Sequence, residues 1–243
     1  MNKVIVNCDL GEGIGNDAQI MPYIHAANIA CGYHAGDIQT MNDTIELCVK
    51  HNVMIGAHPS YFDKKNFGRT EMKMDEDELY DLITQQLLII FEIVNEYDQV
   101  LQHVKPHGAL YNQSAKDPVI ARAIARAVKD FNHDLVLFGL SGSSSIAEAE
   151  KLGLKTASEV FADRTYQDDG SLTPRSMKNA LIENVEEAIR QAGEMIREGV
   201  VTTVSGKKIS LKADTICVHG DGKQAVEFAK SICNLRETER GLL

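Results

Sequence analysis

The chain has 243 residues, 44% hydrophobic and 25% charged, with 25 basic and 35 acidic side chains giving a formal net charge of −10. That is the balance of a packed globular protein, long enough to bury a core without staples. The acidity and the lack of any Lys/Arg run argue against a nucleic-acid backbone as partner, and no apolar stretch is long enough to span a bilayer. Cys8, Cys31, Cys48, Cys217 and Cys233 show no CxxC spacing, and no leader-like segment precedes the first strand, so the chain reads as cytoplasmic with free thiols.

In chain order, β-rich runs predict strands at 4–9, 27–31, 53–58, 100–105, 135–140, 156–161 and 215–219. Helical patterns fill the intervals, and most have a recognisable start. Asp37 precedes a run to His51. Asp75, with Glu78 three residues on, opens a long helix to about Glu96, with Leu79, Ile83, Leu87, Ile90 and Val94 on one face. Asp117 before Pro118, and Thr173 before Pro174, each place an N-cap ahead of an N1 proline, and Ser145 with Glu148 has capping-box spacing. The segment 200–211, VVTTVSGKKISL, predicts an inserted β-hairpin turning at Ser205-Gly206, and a final helix follows Gly222. The alternation implies a parallel sheet with right-handed crossovers, as either an open doubly wound sheet or a closed barrel. No linker or repeat interrupts it, so one domain over 1–243 is expected.

Side chains alternate along a strand with period two. Asn7 and Asp9 therefore share a face, as do His103, Lys105 and His107, then Glu159 and Asp163, then Cys217, His219 and Asp221. Ionisable residues thus gather at the carboxyl ends of the strands, where α/β folds build their sites. His34, His58, His107 and His219 follow strand ends near Gly or Pro, whereas His25, His51, His103 and His133 read as ordinary structural histidines. Asp9, His34, His58, His107 and His219, with Asp221, contain enough nitrogen and oxygen donors for a divalent metal. No HExxH-like spacing accompanies them, and the same groups serve acid–base chemistry equally. Asp37 and Asp221 also read as helix N-caps.

Lys105, aimed by Pro106, suits a carboxylate, a phosphate or a developing oxyanion, with a salt bridge to Asp9 or Glu12 as the plainer role. Tyr111 and Asn112 are its hydrogen-bonding neighbours. Glu12 and Asp163 read as loop anchors that Arg164 pairs with. The Gly/Ser run at 139–145 leads into a helix start that suits an anion. It is not a P-loop and no Walker motif occurs, so any ATP dependence calls for a separate partner protein.

The stretches NCDLGE (7–12), ANIACGYHAGD (27–37), IGAHPS (55–60), NFGR (66–69), HVKPHGALYN (103–112), EVFADR (159–164), DGSLTPRS (169–176) and CVHGDG (217–222), in this order, resemble the LamB/YcsF family. Bacterial members of that family serve as the A component of ATP-dependent 5-oxoprolinase. The resemblance implies a seven-stranded parallel (β/α) barrel similar to the glycoside hydrolase/deacetylase fold. It implies conversion of 5-oxo-L-proline, ATP and water to L-glutamate, ADP and phosphate, with the separate 5-oxoprolinase subunits B and C as partners and ATP a co-substrate bound with them. On this reading Asp9, His58, Lys105, His107 and His219 are the catalytic candidates. Asp9 or His107 is the base, His219 and His58 act as acid or electrostatic groups, and Lys105 and Arg175 hold the substrate carboxylate or an acyl phosphate. Glu12, Asn28, His34, Tyr111, Asp163, Arg164, Arg175 and Asp221 are the substrate-binding candidates. Two rivals remain open: a metal-dependent carbohydrate deacetylase or amidohydrolase, and a non-catalytic scaffold that binds 5-oxoproline.

Overall fold

The computed structural model describes residues 4–220 and 224–240, with side chains described through residue 235. Its strands are β1 (Ile5–Leu10), β2 (Ala26–Ala30), β3 (Met54–His58), β4 (Leu101–Val104), β5 (Val136–Leu140), β6 (Lys155–Phe161), β7 (Val200–Thr202), β8 (Lys208–Ser210) and β9 (Thr215–His219). Among the described residues, seven of these pair in parallel and close a barrel in the order β1-β2-β3-β4-β5-β6-β9. The sheet is therefore closed, not open. β7 and β8 stand apart as an antiparallel pair. The helices are α1 (Asp17–Ile20), α2 (Ile38–His51), α3 (Glu76–Glu96), α4 (Gly108–Lys116), α5 (Pro118–Phe131), α6 (Ser144–Lys151), α7 (Val185–Glu198) and α8 (Ala225–Arg240). None is long and apolar enough to cross a membrane among the described residues.

Local chemistry sets the helix starts. Asp75 accepts from the Asp77 and Glu78 N–H groups while Glu78 accepts from the Asp75 N–H, a complete capping box for α3. The buried face of α3 carries Leu79, Ile83, Leu87, Ile90 and Val94, each worth about 1.5–3 kcal/mol when fully covered. Asp37 caps α2 through the Thr40 N–H, and Asp117 caps α5 ahead of Pro118.

Two expected starts differ. No helix follows Thr173, because its groups are engaged by distant partners. Its N–H donates to Thr165 O, its carbonyl accepts from Arg164, and its hydroxyl accepts from Gln167. α6 begins after Ser143, and its capping box is absent. Ser145 instead donates to Ser114, and Glu148 pairs with Lys151.

Period-two alternation divides each barrel strand between two cores. Val6, Cys8, Ile29, Ile55, Val104, Val160 and Ile216 pack outward under the helices. Inward, an apolar floor is made by Ala26, Phe138 and Ala157 with Ile5, Met54 and Val136. A polar layer of Asn7, Asn28, His103, Glu159 and Thr215 lies on that floor, and the ionisable residues of the strand ends lie above it. His103 donates from Nε2 to Asn28 Oδ1 at 2.8 Å and stacks on Phe138 with centroids 4.3 Å apart.

The ring fits only because residue 56 is glycine. A Cβ there would lie 2.1 Å from His103 Nε2, and the imidazole is held by Asn28 and Phe138. Gly56→Ala is expected to destabilise the protein by about 1–3 kcal/mol in urea unfolding. A change below about 0.5 kcal/mol would show that the ring has room to move.

Candidate active site

Lys105 follows β4, and its ammonium is buried at the top of the barrel interior. Nζ lies 2.8 Å from Asp9 Oδ1, 2.9 Å from Glu159 Oε1, 3.0 Å from Cys217 Sγ and 3.3 Å from Asn7 Oδ1. Asn28 donates to Asn7 and to Asp9, while Asn7 donates to Glu159 and Thr215. Burial would push the Lys105 ammonium down, but Asp9 and Glu159 outweigh it and hold it well above the usual lysine range. Burial likewise opposes ionisation of Asp9, yet His58 and Lys105 hold its carboxyl well below the usual carboxylate range. The donors of Lys105 are thus engaged inside the protein. Of the ion pairs expected for it, the one to Asp9 is present, and Glu159 is a second partner.

Three histidines meet beside Asp9. His58 ends β3; its Nδ1 donates to Lys105 O at 2.7 Å, and its Nε2 lies 3.3 Å from Asp9 Oδ2 and 2.9 Å from His107 Nδ1. His107 Nε2 donates to Phe67 O at 3.0 Å. His34 stacks on His107 at 3.8 Å, with Nδ1 on Ser60 Oγ at 2.9 Å and Nε2 3.2 Å from Glu12 Oε1. Burial, then the neighbouring His58, pulls His34 down to about 2, and burial with His34 and His58 pulls His107 well below its ordinary value. The segment carrying Phe67 approaches this closely because Gly68 has φ +65°; a Cβ there would sit 2.8 Å from His107 Cδ2.

On the other side of Asp9, β9 ends in His219. Its Nδ1 lies 2.9 and 3.0 Å from the two Asp163 oxygens, and its ring stacks on Phe161 at 5.5 Å. Burial opposes ionisation of Asp163, but His219 and Arg164 hold its carboxyl below the usual range. Arg164 donates to Ala180 O and Thr173 O, fastening the segment that carries Arg175 over the barrel mouth.

A cleft of about 380 Å³ opens here. Asp9, Glu12, His58, Lys105, His107, Tyr111, Arg164, Arg175 and His219 all line it. Other substrate-binding candidates do not reach it. Asn28 lies beneath Asp9, His34 behind His107 and Asp163 behind His219, each holding a residue that does line it. Asp221 lies outside the described residues. Of the metal candidates, His34, His58 and His107 converge with Glu12, their ligand atoms all within 4.8 Å of one another. Asp9 Oδ1 is instead taken by Lys105 and Asn28, and His219 Nδ1 by Asp163. Sequence reasoning did not single out Glu159, Arg69 or Lys116 as site residues. Glu159 had the signal of its strand phase and Arg69 that of the NFGR stretch, while Lys116, at the end of α4, had none.

The LamB/YcsF family model matches residues 4–241. The chain belongs to the LamB/YcsF family. It is 51% identical over 237 residues to a Staphylococcus epidermidis protein named as the A component of 5-oxoprolinase, covering 96% of this chain and 94% of that one. A Bacillus cereus protein of the same name is 48% identical over 238 residues, with 96% and 94% covered. Among solved structures, the lactam utilization protein from Thermus thermophilus superposes with a TM-score of 0.91 at 38% identity, covering 98% and 97% of the two chains. A family 4 carbohydrate esterase from Streptomyces lividans superposes with a TM-score of 0.50 at 10% identity, covering 98% and 89%, a likeness of fold.

Two outcomes test this geometry. Glu159→Gln keeps shape but removes one of the two charges on Lys105. Urea unfolding is expected to show a loss of about 3 kcal/mol, and a loss under about 1 kcal/mol would mean Asp9 alone suffices. Asp163 folds with its pKa depressed, so its stabilisation is full above the unfolded value of about 3.9 and fades as pH falls through the folded one. The stability gap between the native protein and Asp163→Asn is expected to be larger at about pH 5 than at about pH 3, and a gap that widens on acidification would contradict it.

Proposed function

We propose that this chain is the lactam-opening component of an ATP-dependent 5-oxoprolinase, converting 5-oxo-L-proline to L-glutamate together with partner subunits B and C. The observation that carries the reading is the oriented His219–Asp163 pair on a cation-rimmed cleft, in a chain 51% identical to a relative named as the A component of 5-oxoprolinase. The substrate is a five-membered lactam bearing a carboxylate, small enough for this cleft. Arg175, exposed at the rim, is the proposed partner of that carboxylate.

Ring opening needs a base for water, an acid for the leaving nitrogen and a donor for the oxyanion. His219 donates Nδ1–H to Asp163, which leaves Nε2 as its proton acceptor, and Asp163 stabilises the imidazolium that forms. Water oxygen bonds to the lactam carbon as its proton passes to His219. The carbon–nitrogen bond then breaks, and His219 returns the proton to the nitrogen. His107 is less suited to be the base, because burial with its neighbours His34 and His58 holds it well below its ordinary value, so it takes up a proton poorly. Burial, then Glu159, keeps the Tyr111 hydroxyl protonated, so it can donate to the oxyanion. Beforehand, on the partner subunits, since the chain has no P-loop, the lactam oxygen takes the terminal phosphoryl group of ATP and ADP leaves. Ring opening then gives the acyl phosphate of glutamate, and a second water releases inorganic phosphate and L-glutamate. The unbridged cysteines favour a reducing, cytoplasmic setting.

The test is glutamate formed from 5-oxo-L-proline and ATP by this chain alone, by B with C, and by all three. Glutamate is expected only from the full set, with His219→Ala in this chain lowering the rate by about 10²–10⁴. ATP-coupled turnover by this chain alone would overturn the division of labour, and an unchanged rate with His219→Ala would overturn the assignment of the base.

A further inference from the structure

We infer that Glu12, His34, His58 and His107 form a binding site for one divalent transition-metal ion, with zinc the best match, at the edge of the cleft. This goes beyond the lactam reading and does not depend on it. The three histidines are buried and Glu12 is nearly so, and their ligand atoms lie within 4.8 Å of one another.

The positions of the ring protons carry the inference. A carbonyl oxygen only accepts, so His58 bears its hydrogen on Nδ1, toward Lys105 O, and His107 bears its own on Nε2, toward Phe67 O. The Ser60 hydroxyl donates to Tyr61 O at 3.0 Å, so it accepts from His34 Nδ1. Each ring therefore has its hydrogen on the outer nitrogen and a lone pair on the inner one. The inner atoms are His34 Nε2, His58 Nε2 and His107 Nδ1. Those of His58 and His107 stand 2.9 Å apart, and Glu12 Oε1 lies 3.2 Å from that of His34 and 3.6 Å from that of His107.

Neutral imidazoles fixed in this way cannot hydrogen-bond to one another. Their inner faces meet lone pair to lone pair unless a cation lies between them. An added proton on His58 Nε2, where Asp9 Oδ2 at 3.3 Å would pair it, relieves only the contact between His58 and His107. One divalent ion serves all three rings and the carboxylate together.

Outer hydrogen bonds to carbonyl and hydroxyl oxygens are the usual means of fixing the tautomer and direction of a ligating histidine. Two ligands about 2.1 Å from a tetrahedral ion stand about 3.4 Å apart, close to the spacings seen here. Coordination requires the His34 and His107 rings, now 5° from parallel, to tilt toward a common centre. Three imidazoles with one carboxylate favour a first-row transition ion over magnesium or calcium.

The test uses the full chain, purified without chelator for elemental analysis, then stripped and titrated with Zn²⁺ by calorimetry and with Co²⁺ by visible absorbance. One equivalent per chain is expected, with Co²⁺ giving the ligand-field bands of a nitrogen-rich site. His34→Ala and His107→Ala are expected to abolish stoichiometric binding. Ser60→Ala, which frees the His34 tautomer, is expected to weaken it about tenfold to a hundredfold. Circular dichroism of each variant reports whether it has folded. His133→Ala, at an exposed position, is expected to bind as the native chain does. The inference is overturned if the native chain takes up neither ion, or if the folded His34→Ala and His107→Ala variants bind as it does. Metal uptake and glutamate release are separate readouts, so failure of one proposal leaves the other standing.

Discussion

A lysine ammonium inside the barrel is the constraint on which the rest of the mouth depends. Lys105 lies between the Asp9 and Glu159 carboxylates, at 2.8 and 2.9 Å, in a layer shielded from water. Removing such charges from water is costly, and the arrangement holds only because Asn7, Asn28 and Thr215 supply further hydrogen bonds. Through this network the lysine fixes Asp9 on one side. Through its own carbonyl it accepts from His58 and so orients the histidine cluster on another. The apolar floor of Ala26, Phe138 and Ala157 closes the barrel from below, so the polar layer opens only upward into the cleft.

Around the ring, strand order sets the two halves of the site. β9, β1, β2 and β3 are consecutive neighbours, so His219, Asp9 and His58 follow one another at the mouth, with Asn28 of β2 beneath Asp9. Asp9 thus stands between the His219–Asp163 pair and the imidazole cluster. In the proposed chemistry the first half moves a proton. The second, with its lone pairs turned toward Glu12, has the form of a metal site. Neither half could be built from a single loop: both need the closed sheet to hold residues from separate strands within a few ångströms.

Much of this was legible in the sequence, because it rests on local rules. Periodicity located the seven strands, and caps such as Asp37, Asp75 and Asp117 located the helix starts. Period two put Asn7 with Asp9, and His103 with Lys105, on a shared face, which the closed sheet turns inward. Pairing across the barrel was not legible. Glu159 and Lys105 are far apart in the chain, and nothing local marks them as an ion pair. The same blindness explains why Asn28 and His34, read as substrate contacts, lie beneath Asp9 and behind His107, while Asp163, read also as a loop anchor, holds His219. Thr173 and Ser145 carried sound capping patterns that distant partners, Arg164 and Ser114, overrode. His103 read as an ordinary structural histidine; it lies buried between Asn28 and Phe138, beneath the reactive layer.

If the Lys105 ammonium organises the mouth, its replacement by an uncharged side chain of similar length must release what it holds. The crystal structure of Lys105→Met is the most direct measurement. The expected result is an intact barrel in which the Asp9 carboxylate has turned away from Asn28 and no longer lies 3.3 Å from His58 Nε2. An Asp9 that superposes on its native position, with the histidine cluster unchanged, would contradict the central role given to the lysine.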